Sequence, residues 1–496
     1  MENRVVLAYI NPLRKPPVAP IGLDYLASAL RRSGFEADVL DLCLAEDVKE
    51  TINQYFAENE VLAVGASLRD IDNMSIAAPE FYLPFFKEVV ELIKAKTSAP
   101  IILGGSGFSL MPETILDYCE VDLGIYGEGE DSFPLLLNKI QRGINDFHDI
   151  PNLVYRFEGR IRRNPIKQVD LFNLPAPERE AINNQLYFLE SGVAGVECRR
   201  SCTKHCIYCP DPWIKGAKLR YRSPDSVAAE IENLLRQGID HIYFCDSEFN
   251  VPDERYAREL CLKLIERGLN SRIKWFADIL PVPFPEELAS LFLKAGCGGV
   301  AFNIDVFSGD MLRNMGRDFT PEDIIQAAEV CHRQNLPFVY YLLLGGPGET
   351  KETLKETIEN VKRTSPGGVV TVLGIRLLPG TKLAEEIKRG GLLSENPNLQ
   401  GEVTQNDELF KPIWYVSSTL GSPESAREYI AELIGEDESF FFRRKKTAES
   451  PGNPGTANEI LAKAIKEGYR GIYWDILRRL REEGKLKRWL KEGKNG

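Results

Sequence analysis

The chain has 496 residues, 43% hydrophobic and 27% charged, with 61 basic against 73 acidic side chains for a net charge of −12. This composition suits a globular protein of two or three domains, and the acidic balance excludes a phosphate-backbone binder as the main role, so no nucleic-acid partner is expected. Ten cysteines are too few for a disulfide scaffold, the first residues run into a strand-like segment without a signal peptide's apolar core, and runs such as 338–344 are too short to span a bilayer. Reduced thiols without an export signal point to the cytoplasm.

Short apolar runs at 5–10, 37–40, 61–66, 100–103 and 123–126 alternate with amphipathic stretches such as 21–32 and 81–96. They predict an α/β domain, a doubly wound, Rossmann-like parallel sheet over residues 1–145. Ligands of such sheets bind beyond the carboxyl ends of the strands. There this chain carries Asn11 and Pro12, the segment from Ser67 through Arg69 to Asn73, then Gly104, Gly105, Ser106 and Gly107, and finally Gly127, Glu128, Gly129 and Glu130. Glycine at such turns admits backbone close to a ligand, but it also serves tight strand-to-helix connections that bind nothing.

A polar stretch, 146–190, reads as a linker holding a hairpin-like segment at 152–163. From 191 to 390 six further strands are predicted, at 193–197, 239–244, 274–278, 299–304, 338–344 and 369–374, separated by helices such as 224–237 and 321–335. Six units make a partial, TIM-like (βα)6 barrel with its chemistry on the C-terminal rim. The region 391–496 is expected to be small and mostly helical, with an apolar strand or lid at 409–416, a breaker at 451–455, helices at 458–467 and 471–483, and a basic tail forming a solvated helix face.

Directly after the first barrel strand comes Cys202-Thr-Lys-His-Cys206-Ile-Tyr-Cys209. A loop this short turns three thiolates toward one point, and thiolates select iron–sulfur clusters, zinc or cuprous copper. Three ligands on a four-iron cluster leave one iron open to a substrate or cofactor. A structural zinc site completed by Cys198 or His205 draws on the same residues, although the second cysteine pair usual for zinc is missing. Cys198 also permits a shifted register, but it follows a strand and reads as a buried thiol.

The cysteine array, with Tyr208 just before its third member, resembles the radical S-adenosylmethionine (SAM) enzymes. Asn11-Pro12, Pro17-Val-Ala-Pro20-Ile-Gly-Leu23, Gly104-Gly105 and Gly127-Glu-Gly-Glu130 extend the resemblance, over roughly residues 5–390, to cobalamin-dependent radical SAM enzymes. The resemblance implies a [4Fe-4S] cluster on Cys202, Cys206 and Cys209 with SAM at the open iron, and cobalamin at the N-terminal turns. For SAM it implies Tyr208, Asp246 and Asn250 of an Asp-x-x-Phe-Asn segment, Asp305 toward the ribose, Gly346, Pro347, Gly348 and Glu349 beside the methionine, and Arg376 of Arg-x-x-Pro-Gly-Thr. Asn303 stands where the family customarily has glycine.

The histidines are His148, His205, His241 and His332, so the first 147 residues cannot supply the Asp-x-His-x-x-Gly ligand that other corrinoid enzymes place below cobalt. Cobalamin is therefore expected without a histidine lower ligand. Arg69 is a candidate for that face, because a guanidinium is always charged and offers no lone pair; a salt bridge to Asp70 or Asp72 is its other reading.

What the resemblance implies is a methyltransferase. SAM methylates reduced cobalamin, methylcobalamin passes the methyl group to a carbon of a small-molecule or peptide substrate, and an external donor such as flavodoxin or ferredoxin supplies electrons. The Ser67 to Asn73 segment is most similar to members that methylate an aromatic ring such as tryptophan. A non-methylating rearrangement or cyclisation enzyme, and a non-catalytic cluster or corrinoid sensor, use the same cofactor set.

Overall fold

The computed structural model describes residues 3–14, 16–216, 218–442 and 455–492. The chain divides into two compact units. The first comprises the chain up to Asn73 with Glu80–Tyr187 and Asp211–Gly216, and the second comprises Met74–Pro79, Phe188–Pro210 and the chain beyond.

The first unit is built on β1 (Arg4–Ile10), β2 (Glu36–Asp41), β3 (Ala63–Leu68), β4 (Ile101–Gly104) and β5 (Leu123–Ile125), all parallel in the order β2-β1-β3-β4-β5. The central β1 is buried at every residue from Val5 to Ile10, which is why its sequence is apolar without alternation. The chain leaves β1 for β2 on one side and returns to β3 on the other, so the switch point of the sheet lies between β1 and β3.

The stretch expected as a linker corrects that expectation. Its strands β6 (Leu153–Phe157) and β7 (Arg160–Arg163) pair antiparallel onto β5 and extend the sheet to seven strands. β7 is mostly exposed and reads Arg-Ile-Arg-Arg, so it carries no apolar pattern to reveal it. The rest of the stretch is fastened by a fully buried polar cluster. Asp24, on the helix Ile21–Arg32, pairs with Arg179 at 3.3 Å and accepts from the Ala181 N–H at 3.1 Å and Asn184 Nδ2 at 3.2 Å.

In the second unit the chain forms β8 (Ala194–Val196), a two-residue ribbon of β9 (Arg199–Arg200) with β10 (Arg220–Tyr221), then β11 (His241–Phe244), β12 (Lys274–Ile279), β13 (Cys297–Asp305), β14 (Phe338–Leu344) and β15 (Gly368–Leu373). A small antiparallel sheet of β16 (Ile375–Arg376), β17 (Leu399–Gly401) and β18 (Ile413–Tyr415) follows, and β19 (Phe440–Phe441) returns to the main sheet. The main sheet is parallel in the order β8-β11-β12-β13-β14-β15-β19, the sequential order of an open barrel. Six of its strands are the expected ones, and β19 adds a seventh. Four of its helices begin at side-chain caps, Ser223, Thr320, Thr350 and Thr381 each accepting an N–H of the first turn.

The two faces of this sheet bury different partners. Trp275 packs on Phe292 of the helix Glu286–Lys294 at 5.1 Å, whereas the alternate residues Phe276, Ala301 and Val339 pack on Ile472 and Trp474. The C-terminal segment therefore fills the side opposite the helices, the interior of the barrel. Trp474 has no exposure, and the Gly471 N–H donates to the Gly192 carbonyl at 2.8 Å. The predicted C-terminal helices form as Gly455–Lys466 and Tyr473–Glu482, and the basic helix Lys485–Glu492 buries Leu486 and Trp489. The breaker expected at 451–455 lies, but for its last residue, outside the described residues. No described helix is long and apolar enough to cross a membrane.

Removing one member of a buried ion pair strands the other. Asp24→Ala should therefore destabilise the first unit by about 3–5 kcal/mol in urea denaturation. A loss under about 1 kcal/mol would show that the cluster is not what fastens 178–184.

Candidate functional site

In the first unit the predicted residues gather at the carboxyl ends of neighbouring strands. Ile10 lies opposite Leu68 in the sheet, which brings Asn11 and Arg69 together at the switch point. Asn11 is buried. Its Nδ2 donates to the Tyr9 hydroxyl at 2.7 Å and its Oδ1 accepts from the Leu13 N–H at 3.1 Å, fixing the turn at Pro12. Arg69 is partly exposed and pairs with Asp70 at 2.5 Å, the sheet-edge salt bridge. Ser106 Oγ donates to the Arg69 carbonyl at 2.6 Å, tying the turn of Gly104 and Gly107 to the end of β3.

Gly105 is required there. Its φ is 100°, and a Cβ would stand 2.4 Å from the Leu68 carbonyl oxygen. In the fourth turn the Gly127 N–H donates to Ser109 Oγ at 2.9 Å, and Glu128 turns inward to accept from the Val169 N–H at 2.7 Å. Gly129 and Glu130 complete that turn, with Glu130 buried. The unit's one histidine, His148, is exposed and bonded to Asp146 at 2.7 Å.

In the second unit the three cysteines occupy the loop after β9, partly exposed, and none of the ten cysteines forms a disulfide. Segments at the ends of two later helices pin the loop. The Ile207 N–H donates to the Met315 carbonyl at 3.2 Å, the Leu383 N–H donates to the Ile207 carbonyl at 2.8 Å, and a Cβ on Gly316 would stand 2.6 Å from the His205 carbonyl oxygen. Arg317, buried, donates to Cys206 Sγ at 2.7 Å and pairs with Asp305 at 3.2 Å, while the Tyr208 hydroxyl donates to Asp305 at 2.7 Å. Burial pushes the Cys206 thiol up to about 11 against the pull of Arg317.

Among the described residues no three His, Cys, Asp or Glu side chains converge closely enough to hold a single ion. An iron–sulfur cluster makes a different demand, because each thiolate takes its own iron. Cys198 is fully buried beside Asp246 and Arg222 in the core.

Several of the residues expected at SAM also hold their own loops. Asp246 Oδ1 accepts from the N–H groups of Cys198 and Arg199 at 2.9 and 3.1 Å. Asn250 has no exposure; it donates to the carbonyls of Leu280 and Pro283 at 2.8 and 2.7 Å and accepts from the Leu280 N–H at 2.9 Å, which uses both its N–H donors. Arg376 donates to the carbonyls of Leu377 and Leu409, and its neighbour Thr381 caps the next helix. Glu349 folds back on its Gly346-Pro347-Gly348 turn, accepting from the N–H groups of Gly345 and Gly346, and keeps Oε1 buried without a partner. Burial pushes it up to about 7. At Asn303 the register with β14 shifts, and Asp305 takes a left-handed φ of 63°, so the strand bends where the family has glycine.

Sequence reasoning missed Arg317, Glu248 and Asp278. Arg317 belongs to no motif; Glu248 lies inside the Asp246 to Asn250 segment, and Asp278 sits alone in the apolar β12. The unusual acid within an otherwise buried strand was the available signal.

The radical SAM superfamily profile matches residues 196–361 and the B12 binding domain profile matches residues 14–137. The chain is 28% identical over 450 residues to a tryptophan 2-C-methyltransferase of Streptomyces laurentii, covering 78% of this chain and 75% of that one. It superposes on the radical SAM methyltransferase TsrM of Kitasatospora setae, solved with tryptophan and a SAM analogue, with a TM-score of 0.89 and 26% identity over 98% of this chain and 99% of that one. The TsrM structure with cobalamin and a [4Fe-4S] cluster gives 0.88 and 25% over the whole of both chains.

Two expectations follow from this geometry. Cys202, Cys206 and Cys209, replaced together by alanine, should leave protein without four-iron absorbance after anaerobic reconstitution, whereas Cys198→Ala should keep it with a packing loss of roughly 1 kcal/mol. Retained absorbance in the triple variant would refute the assignment. Glu349 binds its proton more tightly folded than unfolded, since its value rises from 4.5 to about 7. Its share of stability is full below about pH 4.5 and falls by roughly 3 kcal/mol as pH rises to about 7. Glu349→Gln should remove that share from a pH series of urea melts, and an unaltered slope would disprove it.

Proposed function

The chain belongs to the cobalamin-dependent radical SAM enzymes, and from that premise we propose that it transfers a methyl group from SAM to a carbon of a small organic acceptor, an aromatic ring such as that of tryptophan. The observation that carries this reading is that one chain holds two cradles of different chemistry, a histidine-poor switch-point crevice and a three-cysteine loop backed by an arginine.

Both cradles fit their groups. In the first unit Asn11, Arg69, Ser106 and the backbone of Gly105 would hold a corrinoid, at a turn where any side chain on Gly105 would strike the Leu68 carbonyl. In the second, Cys202, Cys206 and Cys209 would hold the cluster, with the Arg317 guanidinium favouring the thiolate of Cys206. When bound, cobalamin supplies a cobalt that takes and gives a methyl group, and the cluster supplies an iron site for SAM.

The protein's own residues do the positioning. Asp305 orients Arg317 and Tyr208 at the end of β13, and the turn locked by Glu349 sets the end of β14. Arg69 keeps a positive charge and no lone pair at the crevice, so it would stand beside a bound corrinoid without ligating its metal. An external one-electron donor of the flavodoxin or ferredoxin kind reduces the enzyme.

The holoenzyme, given SAM labelled in its methyl group and L-tryptophan, should yield a product heavier by one labelled methylene unit, measured by mass spectrometry. SAM consumption with a rearranged acceptor of unchanged mass would overturn the reading. The Co(II) form should show no nitrogen superhyperfine splitting from a lower ligand in electron paramagnetic resonance. Arg69→Lys, which introduces a potential amine ligand, should perturb that spectrum and leave the cluster signal intact. An unchanged spectrum would confine Arg69 to its salt bridge with Asp70.

A further inference from the structure

We infer that the outer edge of the first unit's sheet is the docking surface for the electron donor, and that the donor is an acidic flavoprotein of the flavodoxin kind, an inference that rests on the cobalamin-dependent reading above. The whole chain has a net charge of −12, yet between Arg156 and Lys167 it carries five basic residues and one acid, Glu158. That stretch runs from the end of β6 through β7, the last strand of the sheet. Arg156, Arg163 and Lys167 are matched by acids of the same unit, Asp117 and Asp122 at 3.1 Å, Glu113 at 3.3 Å and Asp131 at 3.6 Å. Arg160 and Arg162 are exposed, and Arg162 has the exposed Glu158 at 3.7 Å and the ring of Phe157 at 4.2 Å.

Charge on an edge strand also keeps other chains from pairing with it. The aromatic residue beside this strand serves no such end. Trp213 is 50% exposed, and the Arg163 guanidinium lies 5.8 Å from its ring and 3.9 Å from that of Tyr126. The short helix Asp211–Lys215 carries Trp213 and belongs to the first unit, where Gln168 Nε2 donates to the Lys215 carbonyl at 3.1 Å. This helix reaches the corrinoid cradle. A Cβ on Gly127 would stand 3.6 Å from the Ile214 carbonyl oxygen and 3.5 Å from Ile166 Cδ1, and Ile166 is 46% exposed. An indole and an isoleucine half open to water at a cofactor turn, bordered by arginines, have the composition of a contact surface, apolar at its centre and charged at its rim.

The position selects a redox partner. Trp213 lies against the corrinoid turn and four residues beyond Cys209, at most about 14 Å along a fully extended chain. The charge selects an acidic partner. The exposed indole selects a flavin, a planar ring that stacks on it, over a cluster enclosed by its own cysteine loops. One electron passes: the reduced flavin is oxidised by one, and the metal of the bound cofactor is reduced by one, with no bond made or broken in this chain.

Calorimetry of the holoenzyme with a purified flavodoxin should show binding that weakens as salt is raised. Arg160→Glu with Arg162→Glu should weaken it about tenfold or more, and the milder Arg160→Gln with Arg162→Gln less, in the same direction. Trp213→Ala should slow the stopped-flow reduction of Co(II) by reduced flavodoxin, while reduction by titanium(III) citrate, which needs no docking, keeps its rate in every variant. Unchanged affinity and salt dependence in both arginine pairs would overturn the surface. So would an equal slowing with titanium(III) citrate, which would trace the loss to the corrinoid crevice. A ferredoxin that binds the wild type more tightly than flavodoxin, and is weakened by the same substitutions, would overturn the flavin as occupant. Titanium(III) citrate also tests the methyl-transfer reading apart from docking. With that reductant, SAM and tryptophan, the lack of a methylated product would sink the reading and leave the surface standing.

Discussion

Arg317 is the charge around which the second unit's site is arranged. A guanidinium cannot shed its proton, so once buried it must be surrounded by acceptors. It finds them in Asp305, the Asn303 carbonyl and the sulfur of Cys206, and so joins the bend in β13 to the cysteine loop. Tyr208 adds a second tie through Asp305. The loop therefore owes its position less to its own ten residues than to neighbours more than a hundred residues downstream, including Gly316 beside the His205 carbonyl and the Leu383 N–H on Ile207.

Both units obey one architectural rule with different contents. Parallel strands covered on both faces leave polar residues only at their ends, where side chains of different strands meet. In the first unit the pairing of Ile10 with Leu68 sets an asparagine beside an arginine at the switch point. In the second, the bend at Asn303 and Asp305 and the turn closed by Glu349 shape the rim. Many of the polar side chains at these ends hydrogen-bond to backbone, as Asn250 and Glu128 do, and such bonds make a loop rigid enough to present a cofactor surface.

The strands were legible because a buried parallel strand is an unbroken apolar run, and every one expected in either sheet formed. β6 and β7 were read as a hairpin within a linker, since a charged edge strand such as Arg160–Arg163 looks like loop. β19 has two residues and no pattern at all. The cysteine loop stood out through spacing, a local property. Glu248, Asp278 and Arg317 did not, because their significance lies in what surrounds them after folding: an aspartate in β12 is ordinary until its oxygen is found buried without a donor. Conversely, Asn250 and Arg376 belong to recognisable segments, yet their side chains are turned to the backbone.

Trp474 in the barrel interior has a consequence for how the protein is made. The residues that cover Phe276, Ala301 and Val339 are synthesised after every strand of that sheet, and the bond from Gly471 to Gly192 joins this late segment to the residues just before β8. Until that segment is made, the sheet presents an uncovered apolar surface, a state prone to aggregation and slow to resolve because its closing contacts are so distant in sequence. A nascent chain stalled or clipped shortly before Ile472 would carry both cofactor cradles and still be a client for chaperones.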